Sequence, residues 1–239
     1  MKLLPFERLI LSLDLNTDTE ALSLLENLQG ELAFCKVGLQ LFTRYGIGLL
    51  HKIKKMNFRI FLDLKFHDIP NTVSAAIQSL SEVEIDLLNM HAMCGSEGLA
   101  KARDTLSQIH PNAKLFAVTV LTSLNDSMIH DMGIQLTAKD LVMHLCRIAA
   151  QSGLDGVVCS AQEASMIKTE QGKSFLTICP GIRRLSDKLD DQQRVTTPSQ
   201  AMNMGADWIV VGRPILKAIS PRQEVIEIIK EIEKGLTNE

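Results

Sequence analysis

Residues 61–72 read FLDLKFHDIPNT, and they carry three charged side chains at the point where an apolar strand ends. The apolar run at residues 60–62 predicts a buried strand. Because residues two apart in a strand point to the same face, Asp63 and Lys65 are expected to project together, and Asp68 follows where the chain leaves the strand. Two carboxylates around one ammonium group would keep Lys65 protonated and fix its position. Because two carboxylates outnumber one ammonium group, a negative charge would also face a bound ligand.

Seven further apolar runs are spread along the chain, and stretches with helical periodicity separate them. Alternating strands and helices indicate a parallel sheet, and eight such units in 239 residues fit a single-domain (β/α)8 TIM barrel over residues 1–239. The predicted strands cover residues 9–13, 34–39, 60–64, 85–90, 115–121, 156–159, 175–179 and 208–211. Helices are predicted over residues 18–28, 75–80, 97–109, 137–151, 162–170 and 222–234. A six-stranded open sheet is the alternative, although no GxGxxG motif follows the first strand to support its dinucleotide-binding form.

Composition narrows the classes of function. A net charge of −3 argues against general nucleic-acid binding, and an aromatic content of 4% weakens any interpretation based on base stacking. Glu7 and Arg8 interrupt the apolar N-terminal run, which therefore predicts neither a signal peptide nor a membrane span. Five cysteines without CxxC spacing fit a reducing compartment. We therefore expect a cytoplasmic protein without nucleic-acid or membrane partners.

Most predicted strands end in polar or ionisable residues. The active sites of barrels lie at the C-terminal ends of the strands, so these residues are the candidates for chemistry. Solvation of strand ends would explain one such residue, but ionisable groups at each of the first four ends are harder to dismiss. The set consists of Asp14, Lys36, Asp63, Lys65, His91, Thr122 and Arg213.

Two short segments predict a phosphate site after the seventh and eighth strands, where barrels often bind phosphate. They read CPGIR at residues 179–183 and VGRPI at residues 211–215. Gly212 would let the backbone approach an anion closely, and Arg213 would add a bidentate charged contact. Pro214 suits the first turn of a helix, whose N–H groups would face the anion. The simpler explanation is a Gly-Arg-Pro turn that only begins a helix.

The connection between these segments, residues 182–197, is polar, highly charged and longer than most connections. A loop without fixed structure is the plain explanation. Its place beside a phosphate site favours a lid that closes over a phosphorylated ligand.

The pattern Asp-x-Lys-x-x-Asp-Ile-Pro-x-Thr that begins at Asp63 resembles the signature of the orotidine 5′-phosphate decarboxylase family. The resemblance runs in order from Asp14 to Arg213. Its further blocks are Lys36-Val-Gly, Val-Thr-Val-Leu-Thr122-Ser, Pro180-Gly-Ile-Arg183, Asp191-Gln192-x-Arg and Val-Gly212-Arg213-Pro. The resemblance implies conversion of orotidine 5′-monophosphate to UMP and CO2, the last step of pyrimidine synthesis. It also implies that no metal or organic cofactor is used, and that active sites lie at the interface of a homodimer.

The resemblance implies roles for the charged residues by their position in the motifs. Lys65 resembles the proton donor to C6 of the pyrimidine, and Asp63 the carboxylate that faces the carboxylate of the substrate. Lys36 resembles the lysine that bridges this row and the ribose, and Asp14 a ligand of the ribose hydroxyls. With no electron sink available, protonated Lys65 is expected to stabilise negative charge at C6 by electrostatics.

The resemblance extends to the remaining parts of the substrate. Asp68 and Thr72 resemble residues that the family lends to the site of the partner subunit. Gln192 on the lid would bridge the base and the phosphate, although adjacent Gln193 is an alternative. His91 stands at a histidine that the family often has, and no chemistry is assigned to it. The other expected substrate ligands are Thr122 at the base, and Pro180, Arg183, Gly212 and Arg213 around the phosphate.

Relatives of the same barrel type share Asp-x-Lys-x-x-Asp and stay open as alternatives. Magnesium-dependent decarboxylases similar to 3-keto-L-gulonate 6-phosphate decarboxylase typically have a glutamate after the second strand, where this chain has Lys36. Ribulose-phosphate epimerases bind metal through histidines at strand ends, and the second strand offers none. A catalytically inactive barrel that binds nucleotides as a sensor is a third hypothesis. The intact Asp63, Lys65 and Asp68 argue against it.

Overall fold

Eight parallel strands close into one barrel in the computed structural model, which describes residues 3–183 and 196–237. Each strand pairs with the next along the chain, and the last pairs with the first. This order confirms the predicted TIM barrel and excludes the open sheet. The strands are β1 (Leu9–Ser12), β2 (Phe34–Gly38), β3 (Arg59–Phe66), β4 (Leu87–His91), β5 (Lys114–Val118), β6 (Gly156–Val158), β7 (Leu176–Cys179) and β8 (Trp208–Val211).

All six predicted helices are present, and four more α-helices occur in the part of the chain that the structure describes. The longest unpredicted helix is α2, which contains a kink at Gly46 (φ 56°, ψ −150°). No helix among the described residues is long and apolar enough to cross a membrane. The helices are α1 (Asp18–Asn27), α2 (Leu39–Lys55), α3 (Pro70–Gln78), α4 (Gly95–Ile109), α5 (Asp126–Asp131), α6 (Ala138–Gln151), α7 (Ala161–Gln171), α8 (Pro198–Asn203), α9 (Arg213–Leu216) and α10 (Pro221–Leu236).

The strands bury apolar side chains on both faces, as expected for a parallel sheet covered by helices. A large cluster joins the outward-facing residues to the helices, and a smaller one belongs to the barrel interior. In the interior, the ring of Trp208 makes edge contacts with Phe34 at 6.2 Å and with Phe116 at 5.9 Å between centroids. Phe61 belongs to the same cluster and lines the pocket described below. The filled interior therefore confines the polar site to the barrel mouth.

The opposite end of the barrel carries a repeated ionic contact. Asp86, Asp155 and Asp207 each stand immediately before an even-numbered strand. Each carboxylate accepts a backbone N–H from the preceding strand, at 2.8, 2.9 and 2.8 Å respectively. Each also pairs with a helix cation, namely Lys54, Arg103 and Lys168 respectively. These contacts join helices to strands at the N-terminal end, away from the polar residues at the mouth.

Candidate active site

A pocket of about 310 Å³ opens at the C-terminal ends of the strands. This volume is in the range of small-molecule sites, which begin at roughly 300 Å³. Nine of the sequence-predicted site residues line it. They are Asp14, Lys36, Asp63, Lys65, Thr122, Pro180, Arg183, Gly212 and Arg213.

Four charged side chains form a continuous row across the pocket. Lys65 Nζ donates to Asp63 Oδ1 at 2.6 Å. The other oxygen, Asp63 Oδ2, lies 3.2 Å from Lys36 Nζ. Lys36 Nζ in turn lies 3.3 Å from Asp14 Oδ1. The row alternates carboxylate and ammonium groups, so each charge has an opposite neighbour, and the predicted meeting of Asp63 and Lys65 is confirmed.

Asp63 is the most enclosed member of the row, with 8% of its surface exposed. Burial by itself would raise the pKa of this carboxyl. The charges of Lys36 and Lys65, together with hydrogen bonds from Lys65 and Asn89, outweigh burial and hold the pKa below its ordinary value. Asp63 is therefore ionised at neutral pH and presents a fixed negative charge to the pocket.

An irregularity in β3 directs Lys65 into the row. Pairing with β4 shifts from Leu62 opposite Leu88 to Phe66 opposite Met90, so three residues of β3 lie opposite Asn89 alone. Lys65 has a φ of 51°, which is uncommon for a residue with a Cβ. Its backbone N–H donates to Asn89 Oδ1 at 2.8 Å. Asn89 was not among the predicted site residues, because it lies within an apolar run.

The Asp14 end of the row is shaped by close packing between β1 and β8. Buried Ser12 donates its hydroxyl to Asp14 Oδ2 at 2.7 Å. A Cβ on Gly212 would lie 3.2 Å from Ser12 Cβ and 3.5 Å from Asp14 Oδ2. Glycine therefore lets the strand β8 connection approach Asp14. Ser12 was also missed, because a single hydroxyl within an apolar run gives no signal of a site.

Two arginines stand on the side of the pocket predicted to bind phosphate. Arg183 is buried, with 6% of its surface exposed, and Arg213 is exposed. The backbone N–H of Arg183 donates to Thr196 O at 3.1 Å, which joins the two ends of the predicted lid. The lid between them, with Gln192 and Gln193, lies outside the described residues.

Asp68 and Thr72 do not line the pocket of their own chain. Both are exposed, and Asp68 Oδ1 accepts the backbone N–H of Ile69 at 2.7 Å. Their predicted place in the site of a second subunit stays a prediction.

His91 is half-buried beside His67, with 5.1 Å between the ring centroids. Burial is the largest cause that lowers the pKa of His91, and the positive charges of His67 and Lys65 add to it. His91 therefore favours the neutral form near the charged row. Nowhere in residues 3–183 or 196–237 do three or more His, Cys, Asp or Glu side chains cluster as a metal site requires.

The chain resembles known proteins over most of its length. A sequence model described as the orotidine 5′-phosphate decarboxylase / HUMPS family matches residues 7–228. The chain belongs to this family.

Relatives within the family match over nearly the whole chain. One is the orotidine 5′-phosphate decarboxylase of Idiomarina loihiensis, 44% identical over 225 residues, or 94% of this chain and 97% of that protein. Its counterpart in Carboxydothermus hydrogenoformans is 41% identical over 231 residues, or 95% and 96% of the two chains. The crystal structure of orotidine 5′-phosphate decarboxylase from Lactobacillus acidophilus superposes with a TM-score of 0.85 at 35% identity, covering 95% of this chain and 99% of that one.

Proposed function

We propose that the charged row removes CO2 from orotidine 5′-monophosphate and that Lys65 supplies the proton that replaces it. The chain is an orotidine 5′-phosphate decarboxylase, a carboxy-lyase that produces UMP in pyrimidine synthesis. The observation that supports the mechanism is the ammonium of Lys65, held 2.6 Å from an ionised and nearly buried carboxylate.

In this proposal, electrostatic interactions lower the barrier to decarboxylation. Loss of CO2 leaves a poorly delocalised carbanion at C6, and the positive charge of Lys65 stabilises it before the proton is transferred. Asp63 repels the departing carboxylate, but two charges 4 Å apart interact by only about 4 kcal/mol at an effective dielectric of about 20. Enzymes commonly lower barriers by about 8–23 kcal/mol. Stabilisation by Lys65 therefore contributes more than repulsion by Asp63.

The substrate lies across the pocket with its phosphate far from the reacting carbon. Arg183, Arg213 and the backbone at Gly212 bind the phosphate, because arginine and close backbone approach suit an anion. Asp14 and Lys36 bind the ribose, which places the base between Thr122 and Lys65. Gln192 or Gln193 of the lid completes the contacts to base and phosphate. Binding energy from the phosphate then holds C6 against the charged row.

The reaction in this proposal needs neither metal nor organic cofactor. The ammonium of Lys36 lies 3.3 and 3.2 Å from the carboxylates of Asp14 and Asp63. The ammonium group therefore occupies the place between these two carboxylates where a divalent cation would bind, and its positive charge would repel such a cation. This feature favours the decarboxylase over the magnesium-dependent relatives, which typically have a glutamate after the second strand.

The working enzyme is a homodimer in this proposal. Large apolar side chains are exposed just after β2, β3, β4 and β5, on the rim of the mouth where Asp68 and Thr72 also stand. These side chains are Leu39, Ile69, Met93 and Leu121. A second copy would cover this rim, since exposed apolar patches commonly mark interfaces. Asp68 and Thr72 would then enter the pocket of the partner.

We place the enzyme in the cytoplasm. All five cysteines are free, which suits a reducing compartment.

The decisive experiment is turnover of orotidine 5′-monophosphate by Lys65→Ala, followed spectrophotometrically. We expect turnover to be abolished while UMP still binds, because the phosphate contacts remain. Lys52→Ala is the matched control, since Lys52 pairs with Asp18 on the outside of the barrel. Near-normal turnover by Lys65→Ala would contradict the mechanism. UMP binding by the unmodified protein without any turnover would instead favour the nucleotide sensor.

Shared sites are tested by mixing two inactive variants, Lys65→Ala and Asp68→Ala. Each mixed dimer contains one site with both original residues, so random reassociation should restore about one quarter of the activity. No recovery under conditions that exchange subunits would contradict the shared site.

A further inference from the structure

We propose that Asn89 is a positioning residue, whose side-chain amide fixes both the carboxylate of Asp63 and the backbone of Lys65. Its kinetic consequences rest on the proposed decarboxylation. Its structural consequences concern the protein without substrate and can be measured separately.

Both ends of the Asn89 amide are used. Nδ2 donates to Asp63 Oδ1 at 2.7 Å, and Oδ1 accepts the backbone N–H of Lys65 at 2.8 Å. The residue is fully buried, so water does not replace either contact. These two bonds also fix the orientation of the amide, because only one assignment of its oxygen and nitrogen satisfies both neighbours.

The contact to Lys65 replaces a missing contact of the β-ladder. Where three residues of β3 lie opposite Asn89, regular pairing with β4 is interrupted. The side chain of Asn89 takes the Lys65 N–H and so supports the backbone at its left-handed φ of 51°. This backbone conformation determines the direction in which the side chain of Lys65 extends into the pocket.

The contact to Asp63 determines how that carboxylate is shared. Asp63 Oδ1 accepts hydrogen bonds from both Asn89 and Lys65, which leaves Asp63 Oδ2 facing Lys36. Rotation of the carboxylate would weaken the contacts to both lysines. An amide supplies the donor without adding a charge, whereas a carboxylate at this position would repel Asp63. Asn89 therefore sets the geometry of the row without changing its net charge.

The test compares two variants with a control. Asn89→Leu removes both hydrogen bonds at similar volume. Asn89→Asp keeps the acceptor for Lys65, but when ionised it cannot donate to Asp63. Thr119→Val is the control, because Thr119 is also buried, just after β5, and its hydroxyl donates to Val158 O at 3.1 Å, outside the row.

We expect Asn89→Leu to lower kcat about 10- to 100-fold, the size of a lost hydrogen bond to the charged carboxylate of Asp63. KM should change by less than about threefold, because the phosphate contacts that dominate binding are intact. Thr119→Val should keep both constants. An unchanged kcat for Asn89→Leu, or an equal loss for Thr119→Val, would overturn the proposal.

The pH profile of Asn89→Asp separates positioning from packing. When protonated, the new carboxyl group has a donor and an acceptor placed as in the amide, so both hydrogen bonds can form again. Activity relative to the unmodified enzyme should therefore rise as the pH falls and the pair with Asp63 takes up a proton. The charged groups facing this pair are Lys36 and Lys65, and the titratable imidazoles of His67 and His91 lie beyond them. An identical relative pH profile for N89D and N89L would overturn the proposal.

A second measurement does not depend on turnover. The Asp63 carboxyl can be titrated by 13C NMR in the protein without substrate, and loss of the amide donor should raise its pKa in N89L but not in T119V. Failure of the unmodified enzyme to decarboxylate orotidine 5′-monophosphate would defeat the proposed function, while an unchanged Asp63 titration would defeat the positioning role. If N89L does not fold, the pH profile of N89D, which preserves size, decides the question.

Discussion

The contact between Asp63 and Lys65 is strong enough to be measured in the free energy of unfolding. Their charged atoms are 2.6 Å apart, and the exposed fractions of the two side chains are 10% and 31%. The gross attraction exceeds about 4 kcal/mol at an effective dielectric of about 20, but desolvation of the buried carboxylate offsets much of it. We therefore expect a coupling free energy of about 1.5–3 kcal/mol between these side chains.

A double-mutant cycle measures this coupling. Asp63→Asn, Lys65→Met and the double variant keep the approximate shapes, and urea unfolding at pH 7 gives the three changes in free energy. The control cycle uses Lys52 and Asp18, whose charged atoms are 2.8 Å apart on the outside of the barrel, with 55% and 20% of the side chains exposed. Because solvent screens this pair, its coupling should be far smaller.

The Asp63→Asn variant should also change how the free energy of unfolding depends on pH. The pKa of Asp63 lies below its ordinary value in the folded protein, so the folded state binds the proton less readily than the unfolded state. Its contribution is complete above the unfolded pKa of about 4, and it is lost as the pH falls through the lower folded pKa. Asp63→Asn should flatten this acid limb. Equal coupling in the two cycles, or an unchanged acid limb, would refute the reasoning.

Three further predictions follow from the pocket and the barrel. Arg213→Ala should weaken binding of UMP far more than binding of uridine in calorimetric titrations, and equal losses would remove the phosphate assignment. EDTA should leave turnover unchanged, whereas a loss that magnesium restores would favour the metal-dependent relatives. Gly156→Ala should lower the free energy of unfolding by more than about 3 kcal/mol, because its Cβ would lie 2.1 Å from Leu176 O and separate β6 from β7. A urea midpoint equal to that of the unmodified protein would contradict this last expectation.

Strands were easier to predict than helices. Each strand is a short apolar run that is buried on both faces, so composition alone marks it. Helix α2 was missed because Gly46 interrupts the periodicity, and the structure shows a kink there. Helix α3 begins at Pro70 rather than at residue 75, since proline favours the first turn and its fixed φ suits a helix start. Local sequence therefore predicted where elements lie better than where they begin.

The charged residues of the site were predictable because they interrupt apolar runs at strand ends. Asn89 and Ser12 were not, since each looks like an isolated polar residue within a strand. The importance of Asn89 depends on the register of β4 against β3, which involves a residue 26 positions away in the chain. The positive φ of Lys65 also depends on this register between β3 and β4. These features arise from pairing between strands, which the sequence of one strand does not encode.

The two ends of the barrel use charge differently. At the N-terminal end, each aspartate has both a backbone donor and a helix cation, so the contacts are complete without a ligand. Among the residues that the structure describes, the pocket lining has four cations and two carboxylates, a net charge of +2 in a chain whose net charge is −3. A substrate that carries a phosphate and a carboxylate supplies the opposite charge, and a positive pocket in a negative protein concentrates such anions at the mouth. We therefore expect the pocket to bind anions that carry both a phosphate and a carboxylate more tightly than neutral analogues of the same size.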